Sequence, residues 1–138
     1  MKNSGISSLL LRLALASGFL SAVASRLGLW GKQSSGWSGF LDYTAQVNSF
    51  LPKSSIPTIA LASTILETGL GILLFIGFKT KYAAYATALL TLFFALAMTC
   101  SFGIKEPLDY SVFTFSAGAF LLATMPYYNW SIDQLFIK

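Results

Sequence analysis

Three charged residues lie inside apolar stretches of the sequence, where a charge needs either a partner or a task. Glu67 lies near the middle of TIALASTILETGLGILLFIGF, residues 58–78, and Arg12 and Arg26 lie in the first apolar stretch. An isolated acid at the centre of a membrane helix costs roughly 2.5–3.5 kcal/mol. An arginine and a glutamate can form an intramembrane ion pair, or they can line a cavity that binds a polar headgroup or passes a proton. The sequence leaves open which arginine is the partner of Glu67.

The spacing of these charges indicates where they lie in a helical structure. Ser63, Glu67 and Gly71 are each four residues apart, so they form one polar line along a helix that we expect to face the interior. Arg12 and Arg26 are fourteen residues apart in the sequence, which separates them by about 40° around a helix. We predict no catalytic residue. Arg12, Arg26 and Glu67 are predicted to form the ion pair or to line a ligand site.

The composition places these charges in a membrane protein. Of the 138 residues, 55% are hydrophobic and 10% are charged, whereas about 25% of the residues in soluble domains are charged. Apolar stretches close to the ~20 residues that a membrane span needs cover residues 6–29, 57–78, 82–102 and 108–125. The sequence therefore predicts one all-α transmembrane domain over residues 1–138, an integral membrane four-helix bundle.

Small residues predict how the helices of this bundle pack, because helices in lipid approach most closely through Gly, Ala, Ser and Thr. Faces of this kind occur on the first, third and fourth spans, at Ala14, Ser17, Gly18, Ser21, Ala22 and Ser25, at Ala84, Ala88, Thr91, Ala95 and Thr99, and at Ser116, Ala119 and Ala123. We expect each face to contact a neighbouring helix, with Arg12 and Arg26 flanking the face of the first span.

The long connection between the first two spans predicts an additional helix. Large apolar residues recur at steps of three and four between Trp37 and Leu51, while Asp42 and Gln46 fall on the other side. This pattern is typical of a short amphipathic helix that lies flat at the membrane interface. We expect a helix over about residues 37–51 that covers the outer mouth of the bundle.

A polar cluster, KEPLDYS, precedes the fourth span at residues 105–111. Acidic residues near a helix N-terminus complement the helix dipole, which accounts for the acids without any ligand. The alternative is that Lys105, Asp109 and Tyr110 line the outer mouth together with Arg26.

The sequence contains no histidine and one cysteine, Cys100. Histidine and cysteine are the usual ligands of haem and zinc, and a disulfide or a C-x-x-C motif needs two cysteines. We therefore expect neither haem nor a metal, and a quinone or a lipid is the candidate ligand. The formal charge of +4 includes no basic run, so no nucleic-acid partner is expected. The expected partners are the lipid bilayer and a membrane protein complex or further copies of the chain.

A short basic turn, GFKTKY at residues 77–82, predicts the orientation of the bundle. Short loops that carry Lys or Arg usually remain in the cytoplasm, and this turn contains Lys79 and Lys81. The same choice places Lys2 and Lys138 inside. Both termini are therefore predicted to be cytoplasmic.

In the order of its features the chain resembles the DoxX family of small bacterial membrane proteins. The matching segments lie within residues 9–123 and are LLRLALASGFLSAVASRLGLWG, GWSGFLDYTAQVNSFLP, ETGLGILLFIGFKTKYAA and FGIKEPLDYSVFTFSAGAFLLA. The resemblance implies a multi-pass four-helix protein of the bacterial inner membrane, in which Arg12 and Glu67 fall where the family places its intramembrane charges. It also implies a link to membrane oxidoreductase or thiol-stress complexes, because the family is named after a subunit associated with thiosulfate and quinone oxidation.

These observations lead to three hypotheses about function. The leading one is a non-catalytic subunit that anchors or stabilises a membrane redox or respiratory partner and binds quinone or lipid between its helices. The second is a quinone-linked oxidoreductase subunit in which Glu67 handles a proton and Arg12 or Arg26 orients the quinone oxygen. The third is a small transporter or channel, although the chain lacks the inverted repeats usual in transporters. Because histidine and paired cysteines are absent from the sequence, independent redox chemistry is the less favoured hypothesis.

Overall fold

The computed structural model describes residues 2–136, which contain helices but no β-strand. The α-helices are α1 (Lys2–Arg26), α2 (Gly36–Val47), α3 (Ile56–Ile76), α4 (Thr80–Phe102), α5 (Lys105–Asp109), α6 (Val112–Thr124) and α7 (Asp133–Phe136). Short 3-10 turns occur at Gly31–Gln33 and Lys53–Ser55. The predicted all-α class is confirmed.

Four of these helices form a bundle. α1 packs mainly against α3, and α4 packs mainly against α6, while α3 also contacts α4 and α1 also contacts α6. α1, α3 and α4 are long and apolar enough to cross a membrane, whereas α6 is apolar but shorter. Large apolar side chains such as Leu66, Phe75 and Phe93 point outward, as expected where lipid rather than water surrounds the helices. The protein is therefore a membrane helical bundle.

The predicted fourth span, residues 108–125, is not one continuous helix. α5 ends at Asp109, and Ser111 adopts a left-handed conformation with φ of 56° that redirects the chain before α6 begins. α6 has 13 residues and is therefore about 20 Å long, against the ~30 Å thickness of the hydrocarbon core. The other three helices match the predicted spans to within four residues at each end.

The predicted packing face of α1 is confirmed only in part, because Gly18 packs closely against Phe115 of α6 but most of the face is not buried. Ser17, Gly18 and Ser21 of its small-residue face are exposed, whereas Arg12 and Arg26 lie on the buried face of the helix. That buried face is completed by Ser8, Leu15, Ala16, Phe19 and Val23. The two arginines share one side of α1 and cannot face lipid at low cost. Turning them inward rotates Ser17 and Ser21 outward, because these two residues lie about 140–180° from the arginines around the helix.

The small-residue faces of α4 and α6 pack as predicted. Ala84, Ala88, Thr91 and Ala95 of α4 are buried, and so are Ser116, Ala119 and Ala123 of α6; Thr99 is half-buried. Ser116 Oγ donates a hydrogen bond of 2.7 Å to the carbonyl oxygen of Ala88. Close approach of the two backbones makes this bond between helices possible.

The predicted amphipathic helix forms as α2, although it ends at Val47 rather than near residue 51. Its apolar side packs on α1, α3 and α4, with Thr44 and Val47 buried, while Asp42 and Gln46 are exposed. Ser101 Oγ of α4 donates a hydrogen bond of 2.5 Å to the Val47 carbonyl. α2 thus covers one end of the bundle, hereafter the α2 end.

The opposite end, hereafter the C-terminal end, is closed by residues 125–136. The amide of Ile132 donates to the carbonyl of Ile76 at 3.1 Å, and the amide of Asp133 donates to the carbonyl of Gly77 at 2.9 Å. Gly77 adopts φ of 71°, and a Cβ there would clash with Ser131 and Arg12. The turn after α3 therefore requires glycine both for its backbone conformation and for the close approach of this segment.

The side chain of Asp133 caps α4. Its two carboxylate oxygens accept hydrogen bonds from the amides of Lys79 (2.6 Å) and Thr80 (2.7 Å), which have no partner within the helix. Asp133→Ala is expected to lower the free energy of unfolding by about 1 kcal/mol, up to ~2 kcal/mol, as for other helix caps. Unfolding in detergent measures this loss.

The matched control for this prediction is Asp109→Ala. Asp109 pairs with Lys105 four residues earlier, and both side chains are largely exposed, so its removal should change stability by less than about 1 kcal/mol. Equal losses in the two variants would contradict the capping role of Asp133.

Candidate functional site

Glu67 is buried in α3, and its partner is Arg26, the last residue of α1. Arg26 Nη1 donates to Glu67 Oε2 in an ion pair, and it also donates to Thr64 Oγ1 at 2.9 Å. The exposed fractions of Arg26 and Glu67 are 8% and 4%. The charged head of Arg26 therefore lies inside the bundle, where pairing with an acid offsets part of its desolvation.

Phe40 of α2 covers the same guanidinium. The Arg26 Cζ atom lies 3.7 Å from the centroid of the Phe40 ring, which is a cation–π contact. Trp37 packs beside Phe40, with a centroid separation of 5.8 Å. Arg26 thus links α1, α2 and α3 at one point and holds α2 over the end of the bundle.

A pocket of about 240 Å³ lies beneath α2. Its lining includes the buried polar residues Arg26, Ser63 and Glu67, here called the inner end, and the half-buried or exposed Asn48, Tyr43 and Tyr110, here called the rim. The remaining walls are Phe40, Thr44, Val47, Ile59, Phe94, Met98 and Val112. The pocket is therefore an apolar, partly aromatic space with one ion pair at its inner end.

Tyr43 supplies a neutral hydroxyl at the rim. Burial raises the pKa of its phenol, and the neighbouring Tyr110 and Glu106 raise it further. Its pKa therefore lies above the ordinary value near 10, so the hydroxyl keeps its proton at neutral pH. The rim offers a hydrogen-bond donor without adding a charge.

Arg12 does not pair with Glu67, because it lies at the C-terminal end. Its Nη2 donates to the carbonyl oxygen of Trp130 at 2.6 Å, and its Nη1 lies 3.4 Å from the carbonyl oxygen of Asn129. The residue is 2% exposed. Arg12 thus binds backbone groups of the C-terminal segment, and of the two candidates only Arg26 reaches the acid.

Of the three predicted residues of the outer mouth, only Tyr110 lies in the pocket with Arg26. Lys105 and Asp109 are outside it and form an ion pair with each other across one turn of α5, with side chains that are 84% and 53% exposed. Residues four apart on a helix face each other. The alternative in which all three residues line the mouth with Arg26 is therefore supported only for Tyr110.

Three residues of the pocket, Phe40, Phe94 and Met98, were not predicted from the sequence. Phe40 was expected on the apolar face of α2, but its contact with Arg26 has no sequence signature. Phe94 and Met98 are one turn apart on α4, a spacing that fits a lipid-facing surface equally well. Only the packing of α2 on α4 makes these residues part of a wall.

The family model of DoxX matches residues 7–99, more than half of the chain. This chain belongs to the DoxX family. The match includes Arg12, Arg26 and Glu67, while Tyr110 and the C-terminal segment lie beyond it. For this DoxX protein, the comparisons with curated proteins and with solved structures gave no match.

The DoxX pocket is large enough for one substituted ring. An engineered apolar cavity of about 150 Å³ binds benzene, and the pocket here measures about 240 Å³. Within residues 2–136, no group of three or more His, Cys, Asp or Glu side chains is arranged to hold a metal ion. The site combines apolar and aromatic walls with one ion pair, Arg26 and Glu67, which is the usual composition of a small-molecule pocket.

Proposed function

We propose that this DoxX-family protein is a non-catalytic membrane subunit that binds the ring of a quinone-type lipid beneath α2 and anchors or stabilises a membrane redox partner. One observation carries the proposal: the Arg26–Glu67 ion pair borders a pocket of about 240 Å³ instead of being enclosed by packed side chains. An ion pair that only joined two helices would gain nothing from a ring-sized apolar space beside it. A polar oxygen on a ring would contact the pair while the ring fills the apolar part.

The assignment as a subunit follows from the chemistry of the pocket side chains. Arg26, Glu67, Ser63 and the two tyrosines can hold a ring and exchange a proton, but none of the lining residues is a thiol or an imidazole. Electrons for a reaction of the bound ring must therefore come from another protein. A membrane complex that contains a redox partner supplies them.

We propose a location in the bacterial inner membrane, as a multi-pass protein with both termini in the cytoplasm. Lys79 and Lys81 are exposed at the turn between α3 and α4, which supports a cytoplasmic C-terminal end under the positive-inside rule. Lys138, which also entered the sequence-based prediction, lies outside the described residues. In this orientation the pocket is near the outer face of the membrane.

The test is to identify what copurifies with the protein. Protein from membranes that contain quinone is extracted in mild detergent, and its bound lipids are measured by mass spectrometry. We expect about one ring-headed lipid per chain, in keeping with one ring-sized pocket. Glu67→Gln should carry much less, because it removes the charge at the inner end while preserving the side-chain shape.

Asp42→Asn is the matched control, since it makes the same chemical change on the exposed side of α2 and should retain the lipid. Wild-type protein that carries no quinone or other ring-headed lipid would overturn the proposal.

The oxidoreductase alternative keeps one observation in its favour, because Glu67 borders the pocket and could exchange a proton with a bound ring. It predicts a different result for the same variant. Glu67→Gln would then retain the lipid but slow turnover by the complex. Two measurements on Glu67→Gln, the amount of bound lipid per chain and the turnover rate of the complex, therefore distinguish the two functions.

A further inference from the structure

We infer that the pocket selects a ring that carries a hydroxyl group, the class of phenols and hydroquinones, over the corresponding oxidised quinone. The inference rests on the proposed function, because it concerns the same pocket. It follows from the hydrogen-bonding groups that the pocket presents at its inner end.

Glu67 presents an acceptor to the pocket. Arg26 donates to Glu67 Oε2, and no described residue donates to Oε1. The neighbouring Ser63 is not a donor to it, because its hydroxyl donates to the carbonyl of Ala60 at 3.1 Å. Thr64 likewise donates to the Ala60 carbonyl, at 2.8 Å. A carboxylate oxygen can only accept, so a ligand that pairs with Oε1 must bring a donor.

Arg26 presents donors beside this acceptor. Both of its hydrogen bonds start from Nη1, and no described residue accepts from Nε or Nη2. Arg26 borders the same pocket as Glu67. The inner end therefore offers N–H donors next to a carboxylate acceptor.

A hydroxyl group matches this arrangement because it donates and accepts at one atom. An aryl hydroxyl can donate to Glu67 Oε1 and accept from Arg26. A quinone carbonyl can only accept, so it leaves Oε1 without a donor and brings two acceptor oxygens together. Leaving a buried charged acceptor unsatisfied is unfavourable, and binding sites built around such groups reject analogues that lack the matching hydrogen.

The walls favour a ring rather than an acyl chain as the body of the ligand. Phe94 and Met98 of α4 offer an aromatic face and a thioether, and Tyr43 adds a second ring from α2. Aromatic pairs and sulfur–aromatic contacts favour a ring beyond its apolar area. An acyl chain would use neither these contacts nor the free oxygen of Glu67.

The experiment compares two probes that differ only in oxidation state. Decyl-substituted benzohydroquinone and the matching benzoquinone are titrated into the purified protein by calorimetry, under anaerobic conditions. We expect the hydroquinone to bind at least about tenfold more tightly, since a hydrogen bond to a charged group is worth more than the ~1.4 kcal/mol of a tenfold change. By linkage, the potential of the bound couple rises by about 30 mV for each tenfold preference.

Glu67→Gln should weaken the binding of both probes, as its lower content of copurified lipid implies, and it should also remove the selectivity between them, because a glutamine amide both donates and accepts. Its preference should fall below about threefold, while Asp42→Asn keeps the wild-type value. A second comparison needs no variant: a phenol should bind more tightly than its methyl ether by at least about the same factor of ten, since a methyl group replaces the donor hydrogen while the acceptor oxygen stays.

Each outcome of these titrations decides between the inferences. Equal affinities, or tighter binding of the quinone, would overturn the selectivity and leave the proposed function standing. Failure of both probes to bind would overturn the proposed function as well. Equal affinity of the phenol and its ether would show that Glu67 accepts no hydrogen bond from the ligand and would overturn the inference.

Discussion

Arg26→Met is expected to lower the free energy of unfolding by about 3–5 kcal/mol, as found when one partner of a buried ion pair is removed. The substitution leaves the buried Glu67 without its counterion, and it removes the hydrogen bond that Arg26 donates to Thr64 Oγ1. It also removes the cation that Phe40 covers, which loosens α2. Reversible unfolding in detergent, followed by circular dichroism or steric trapping, measures the loss.

The double variant Arg26→Met, Glu67→Met separates stability from binding. Replacing both partners of a buried pair by apolar residues is often neutral, so most of the lost stability should return. Binding of the hydroquinone probe should not return, because the polar inner end of the pocket is gone. Lys105→Met is the control, since its ion pair with Asp109 is exposed and its removal should cost less than about 1 kcal/mol.

A double-mutant cycle over Arg26 and Glu67 tests the pair directly. Polar couplings inside membranes average about 0.6 kcal/mol, and the recovery expected in the double variant requires a coupling energy well above that average. A coupling energy below about 0.5 kcal/mol would contradict a direct ion pair.

Arg12→Met is expected to lower the free energy of unfolding by about 1.5–3 kcal/mol, the range for hydrogen bonds that involve a charged group. The guanidinium donates to the Trp130 carbonyl at 2.6 Å and lies against the Asn129 carbonyl. Without it, both carbonyls lose a donor at the C-terminal end. Residues 125–136 should then become sensitive to protease, which limited proteolysis with mass spectrometry detects.

The matched control is Gln134→Ala, because Gln134 is exposed and accepts a single hydrogen bond from the Trp130 amide. Its effect should stay below about 1 kcal/mol, near the net value of one ordinary hydrogen bond. Binding of the hydroquinone probe should be unchanged in Arg12→Met, since the pocket is at the α2 end. Loss of binding comparable to that of Glu67→Gln would contradict the separate placement of the two arginines.

The class of the protein and the interior position of its charges can be predicted from local features of the sequence. Composition and the length of the apolar stretches predict a membrane bundle, since few charged residues and long apolar helices fit no other environment. The four-residue spacing of Ser63, Glu67 and Gly71 predicts one buried line, and all three residues are buried. These predictions depend only on the composition of each segment and on the period of a helix, and both can be read from a short stretch of sequence.

The orientation of α1 depended on tertiary structure. Its small-residue face and its arginine face are both plausible packing surfaces in isolation, because small residues allow close contact between helices and arginines need partners inside the bundle. The high cost of exposing two arginines decides the choice. The break at Ser111 that shortens α6 also lacks a local signal, because a left-handed serine is favoured by the surrounding packing rather than by its own preference.

The partner of Glu67 was likewise decided only by tertiary structure. Arg12 and Arg26 lie on the same face of α1, so the helical period fixes their direction but not which one meets the acid. That choice depends on how far α1 is shifted along α3 and on the fold-back of residues 125–136, whose carbonyls bind Arg12 at the other end. The pocket, too, exists only because α2 packs over the gap between α1, α3 and α4, and contacts between distant segments are not encoded in any single stretch of sequence.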